Sequence, residues 1–166
     1  YESGFAHFKK QLAKMQIAPQ QIRYIFLTHV HDDHAGYLNE VLSECSDLQI
    51  VMSDKALERL YRGQNSFHGG CTTKIALFFC YLMKFVGKGK HLFPSIKQEY
   101  QCRCIQVTEQ NRKQVELLLQ GKIIDTPGHT ADSISLLLND GSLFCGDAAM
   151  NGLPSLHRIT IWAEDK

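Results

Sequence analysis

The chain has 166 residues, 44% of them apolar, and a formal net charge of +1, the size of one domain over 1–166 with an ordinary globular core. So balanced a charge gives no whole-surface attraction to nucleic acid or to an anionic membrane, and no charged-then-apolar leader opens the chain. Six cysteines, at 45, 71, 80, 102, 104 and 145, form no CxxC pair and no zinc-knuckle spacing, which points to reduced thiols and a cytoplasmic protein.

From the N-terminus, Phe5, Phe8, Leu12 and Met15 recur at helical spacing, with Lys9, Lys10 and Lys14 mainly elsewhere on the wheel. The pattern predicts an amphipathic helix packed on a sheet, its lysines solvated, and Pro19 interrupts it. Residues 22–27 are β-branched and aromatic enough for a buried strand. Directly after it come Thr28, His29, Val30, His31, Asp32, Asp33 and His34, three histidines and two aspartates within positions 29–34. Past Gly36, Tyr37, Leu38, Val41 and Leu42 have helical spacing to about residue 45. The cluster therefore fills a strand-to-helix turn, where a rigid scaffold brings side chains together. Imidazoles and carboxylates suit zinc and other borderline divalent metals. In a partly extended turn His29 and His31 project to one side, with Asp33 and His34 a step further on, giving two neighbouring ligand sets.

Residues 48–52 form a second apolar run, a buried strand. Ser53 and Asp54 then cap a helix through Arg59 to Tyr61 that Gly63 ends. Strands alternating with helices predict an α/β layered domain. More chain separates His34 from His129 than one further strand and helix require, so 64–108 is expected to be an inserted lobe. Within it Thr72 or Thr73 caps a helix whose apolar face is Ile75, Phe78, Phe79, Leu82, Phe85 and Val86, with Gly87 at its end. That helix is too short, and with Lys74 and Lys84 too charged, to span a membrane. It either packs on its own domain or walls a substrate pocket, facing the site or a partner subunit in a homodimer. The local excess of Lys84, Lys88, Lys90, Lys97, Arg103, Arg112 and Lys113 reads as solvated surface, with steering of an anionic substrate as the alternative. His68 and His91 read as ordinary histidines of the lobe.

Beyond the lobe, 104–108 and 115–119 read as strands. Gln120 and Gly121 make a tight turn into a strand at 122–125, a hairpin that delivers His129 past the bend of Pro127 and Gly128. Residues 133–138 and 143–145 flank Asn139-Asp140-Gly141, a strong hairpin signal, and lead to Gly146 and Asp147. Cys145 reads as a buried thiol, and 156–162 as a helix or loop covering the site. A tetrahedral catalytic metal takes about three protein ligands and a water, more than one turn supplies. His129 and Asp147, each just past a short apolar run, are the candidates to complete it.

The run from His29 to His34 resembles the HxHxDH motif of the metallo-β-lactamase-fold hydrolases. Thr126-Pro127-Gly128-His129-Thr130 resembles that superfamily's next ligand strand, and Gly146-Asp147 its bridging aspartate; the match runs from Arg23 to Asp147. The resemblance implies part of an αβ/βα four-layer sandwich. It also implies that His29, His31 and His129 hold a first metal, Asp33 and His34 a second, and that Asp147 bridges them. Two Zn²⁺ ions per chain are expected, with iron or manganese as alternatives. Asp33 and Asp147 would be the catalytic carboxylates around a metal-activated water that cleaves a small ester, lactone or thioester. Phosphodiester or β-lactam-like amide cleavage, or a non-catalytic metal-binding module, are the other readings. Asp32 and Asp125 are candidates to orient a ligand histidine.

The sequence also departs from the family pattern. The superfamily's N-terminal strands, with their Asp-Thr-Gly-like turn, would precede Phe5. Its last metal histidine would lie well beyond Asp147, further than His157, so a fragment with an incomplete second site is expected. Ala148, Ala149 and Met150 follow the aspartate where relatives resembling acyl-homoserine lactonases carry a tyrosine, which lowers that reading. His31 stands where redox members of the flavodiiron type have a carboxylate, which argues for hydrolysis.

Overall fold

The computed structural model describes residues 2–65 and 92–149, with Phe78, Tyr81, Leu82 and Phe85 between them. The remainder of the expected lobe helix, His68, His91 and the covering segment at 156–162 lie outside the described residues.

Among the described residues two sheets carry the fold. Strands β1 (Tyr24–Phe26), β2 (Gln49–Ser53) and β3 (Cys104–Val107) lie side by side in that order, all parallel. Strands β4 (Gly121–Asp125), β5 (Ile134–Leu138) and β6 (Leu143–Phe144) form an antiparallel meander. β2 is covered on both faces: Ile50, Val51 and Met52 are all 0% exposed. Alternation sends Ile50 and Met52 into one core and Val51 into the other.

The first core lies under four helices, α1 (Glu2–Lys14), α2 (Asp32–Ala35), α3 (Leu38–Glu44) and α4 (Leu57–Arg62). Phe5 and Phe8 of α1, Ala35 of α2, Leu38, Val41 and Leu42 of α3 and Leu60 of α4 pack with Ile50 and Met52. Each large apolar side chain removed from water here contributes about 1.5–3 kcal/mol. Met15, expected on the apolar face of α1, falls just past its end and is exposed. The helix expected from Gly36 to about residue 45 is α3, and a separate short turn, α2, closes on the ligand cluster itself just before it.

Ser53 caps the turn after β2, its hydroxyl accepting from the Lys55 amide, and Gly63 closes α4 in the left-handed region at φ 61°. A side chain at Gly63 would collide with the Phe93 carbonyl, 2.3 Å from its Cβ position, because the chain returns alongside: Phe93 N donates to Gly63 O, and Gln64 bridges to Leu92. Phe93, Ile96 and Tyr100 then join the first core, and β3 adds to the parallel sheet. The stretch expected as a lobe over 64–108 therefore contributes its residues 92–107 to the body of the domain.

The second core lies between the other face of the parallel sheet and the antiparallel one. Val51 and Val107 meet Ile123, Ile134 and Leu136, with Val115 of helix α5 (Arg112–Leu119). This corrects the expected strand at 115–119. Val115 and Leu119 are four apart and face that core, while Leu117 is 81% exposed, so the leucine run is one helical face plus its solvent side. Gln120 is the left-handed cap of α5, not a hairpin turn, and Gly121 is already in β4. Asn111 starts the helix, its carboxamide oxygen accepting from the Thr108 amide.

The hairpin at 139–141 forms as expected, with Leu138 N donating to Ser142 O. Cys145 is half-buried after the end of β6, a correction to the expected core thiol. No described helix is long and apolar enough to cross a membrane.

Candidate metal centre

The ligand cluster sits where the two sheets join. Past β1, Leu27 N still donates to Val51 O, and then Thr28 O accepts from Ile134 N of β5. His29 follows at that joint and is 1% exposed. His31 is the N-cap of α2, and the turn it opens carries Asp33 and His34. From the second sheet, β4 runs out at Asp125, and the loop through Pro127 and Gly128 presents His129 before β5 begins. After β6 a short helical turn, Gly146–Ala148, presents Asp147.

These four approaches converge. One ligand atom each from His29, His31, His129 and Asp147 lies within 4.8 Å of the others, and a second group of Asp33, His34 and Asp147 meets the same limit. The distances are those of a coordination shell. Nε2 of His129 is 3.1 Å from Nδ1 of His31 and 3.3 Å from Oδ2 of Asp147, and Nε2 of His29 is 3.7 Å from the same oxygen. Ligands about 2.0–2.1 Å from a tetrahedral zinc stand about 3.3 Å apart. On the other side, Nε2 of His34 lies 3.5 Å from Oδ1 of Asp147 and 3.7 Å from Oδ2 of Asp33. Asp147 thus turns one oxygen to each group. Nε2 of His29 is buried with no hydrogen-bond partner among the described residues, an uncompensated polar atom that a bound cation would satisfy. The residues present fit a divalent metal.

The electrostatics suit the same use. Burial, reinforced by His31, His34, His129 and Arg59, pushes the His29 pKa down from 6.5 to about 2. Burial and His129 lower that of His31 to about 4, against an opposing pull from Asp33, Asp132 and Asp147. Both imidazoles are neutral at physiological pH, the form that coordinates metal.

Neighbouring groups fix the ligands. Nδ1 of His29 lies 3.2 Å from Thr28 Oγ1, so a hydroxyl stands where a carboxylate was expected. Gly146, at φ 51°, is required beside it: its Cβ would fall 2.4 Å from that hydroxyl oxygen. The two aspartates expected to orient histidines are engaged elsewhere. Asp125 forms a forked pair with Arg112 on the surface, and Asp32 accepts from Asn65. The carboxylate buried beneath the cluster is Asp132, which accepts from Val30 N and from Arg59. Its one signal in the sequence is an aspartate set among small residues just before the apolar run of β5.

An α/β domain whose strand ends bring histidines and aspartates to one point carries a candidate divalent-metal site. The chain belongs to the metallo-beta-lactamase superfamily, whose profile matches residues 2–158. Among solved structures it is similar to a metallo-beta-lactamase from Cronobacter sakazakii with a HARLDQ motif, at 18% identity and a TM-score of 0.53 over 87% of this chain and 48% of that one. A substituted form of that protein aligns at 18% identity and a TM-score of 0.54, over 92% of this chain and 52% of the other. The chain thus spans about half the length of these structures, and the likeness establishes the fold. No curated protein matched.

Proposed function

We propose that the chain is the ligand-bearing part of a hydrolase that binds two Zn²⁺ ions, with iron or manganese as alternatives, and cleaves a small ester, lactone or thioester in the cytoplasm. The observation that carries this reading is the sharing of Asp147: its two oxygens face two separate ligand groups. In this reading His29, His31 and His129 hold one ion, Asp33 and His34 the other, and Asp147 both. A bound pair of divalent ions lowers the pKa of water toward neutrality and polarises the substrate oxygen.

The chain's own residues do the rest. His29 and His31, neutral by burial, offer nitrogens without first losing a proton. Asp33, whose side chain is 70% exposed, reaches solvent, and in this reading it takes a proton from the attacking water and returns it to the leaving group. Beside His34 and Thr28 opens a cavity of about 360 Å³ otherwise lined by Ile25, Phe26, Leu27, Leu136 and Phe144, mostly apolar, as the non-reacting part of a small organic substrate requires. The four described cysteines at 45, 102, 104 and 145 are free.

The test is a panel of lactones, thioesters, aryl esters, phosphodiesters and β-lactams, assayed with metal-loaded wild type and Asp147→Ala. Ester, lactone or thioester turnover that Asp147→Ala abolishes is the expected result. Turnover that survives the substitution, or no turnover by a fully loaded protein, would contradict the proposal.

A further inference from the structure

Asp132 is the most buried carboxylate among the described residues, its side chain 0% exposed, and its partner Arg59 is 13% exposed. Its position matters more than its burial. Oδ2 accepts from the amide of Val30 at 3.0 Å, and Val30 stands between His29 and His31. Oδ1 accepts from Arg59 of α4 at 2.5 Å. Asp132 itself is three residues past His129, and the turn between them is stiff: Thr130 Oγ1 and Ser133 Oγ are 2.7 Å apart, and Thr130 N donates to the same Ser133 oxygen. One carboxylate therefore joins the loop bearing His29 and His31, the loop bearing His129, and the helix beneath both.

A buried ion pair is poor evidence for added stability, because withdrawing both charges from water offsets most of their attraction. Its better attested role is to fix register, and here the register in question is that between two ligand loops. We propose that Asp132, held by Arg59, is a positioning residue that sets the distance of His129 from His29 and His31, so that the histidine group is preformed before an ion arrives. The inference rests on the reading that these histidines hold a divalent cation.

The experiment is titration of the metal-free protein with Co²⁺, whose visible absorption reports ligand geometry, together with thermal melts without metal. Asp132→Asn keeps an acceptor for Val30 but drops the charge facing Arg59. It is expected to retain the fold while binding Co²⁺ about 10- to 100-fold more weakly, with an altered absorption spectrum. Arg59→Lys, which keeps a cation, should stay close to wild type. Should Asp132→Asn fold poorly, Arg59→Met gives the same readout with the Val30 bond intact: weakened binding supports the proposal and unchanged binding overturns it. Wild-type affinity and spectrum in Asp132→Asn overturn the positioning role alone. A wild-type protein that binds no Co²⁺ overturns it together with the metal reading.

Discussion

The two ligand groups share Asp147 but sit in different surroundings. In the first, the rings of His29, His31 and His129 pack at centroid distances of 4.6–4.9 Å, at the joint of two sheets and above the Asp132–Arg59 pair, with the His34 ring of the other group 4.2 Å from that of His29. The group of Asp33 and His34 lies on a single short turn, with side chains 70% and 28% exposed. The first group is built from segments about a hundred residues apart, as the sequence separation of 98 between His31 and His129 shows; the second is mainly local and open. A site assembled from distant segments depends on the whole fold for its geometry, whereas a local site depends on one turn. The group assembled from distant segments should therefore bind its ion tightly and in one geometry, and the local group should exchange its ion and meet the substrate.

Several substitutions break or sharpen that contrast. The largest effect is expected from Asp147→Ala, which removes an oxygen from both groups at once. Metal content and hydrolysis should both collapse, beyond the roughly 10–100-fold that losing a supporting residue costs. Next is the pair His29→Ala and Asp33→Ala, compared by metal analysis. His29→Ala should empty the group of His29, His31 and His129, and Asp33→Ala should lower the stoichiometry from about two ions to about one while leaving the tighter ion in place. Equal losses in the two variants would erase the distinction drawn between the groups.

A smaller effect is expected from Gly146→Ala. The left-handed backbone at φ 51° costs a side-chain-bearing residue about 1–2 kcal/mol, and the displaced Thr28 hydroxyl would disturb His29 and Asp147 together. A lower melting temperature and weaker binding in both groups should follow.

The smallest change per step is in pH. His29 and His31 have folded pKa values of about 2 and about 4, below their ordinary 6.5. As pH falls below 6.5 the unfolded chain takes up protons that the folded chain refuses, so stability is present above that pH and is lost on acidification. The metal-free protein should lose on the order of 1 kcal/mol per pH unit for each histidine between about pH 6 and 4. Chemical denaturation at several pH values measures it, and a flat profile would contradict the buried neutral state.

How much of this was legible beforehand follows the same division between local and distant. The cluster at 29–34, the helix through Phe5 and Phe8, β2 and the Asn139-Asp140-Gly141 hairpin are local patterns, and each announces itself over a few residues. Asp132 did not, because a lone aspartate's burial is decided by Arg59 and Val30, 73 and 102 residues away. The helix at 112–119 is hidden by its own leucines, since so short a leucine-rich stretch fits a strand as well as a helix until the packing of Val115 and Leu119 is known. Asp125 was a reasonable candidate beside His129, but it ends a strand next to Arg112, which takes both of its oxygens.

The most direct test of the account is anomalous diffraction at the zinc edge from crystals grown with the metal. The account predicts a peak about 2.0–2.1 Å from Nε2 of His29, Nδ1 of His31 and Nε2 of His129, with an oxygen of Asp147 alongside. Zinc-bearing crystals with no peak among those atoms, or with the three rings turned away from one another, would contradict it.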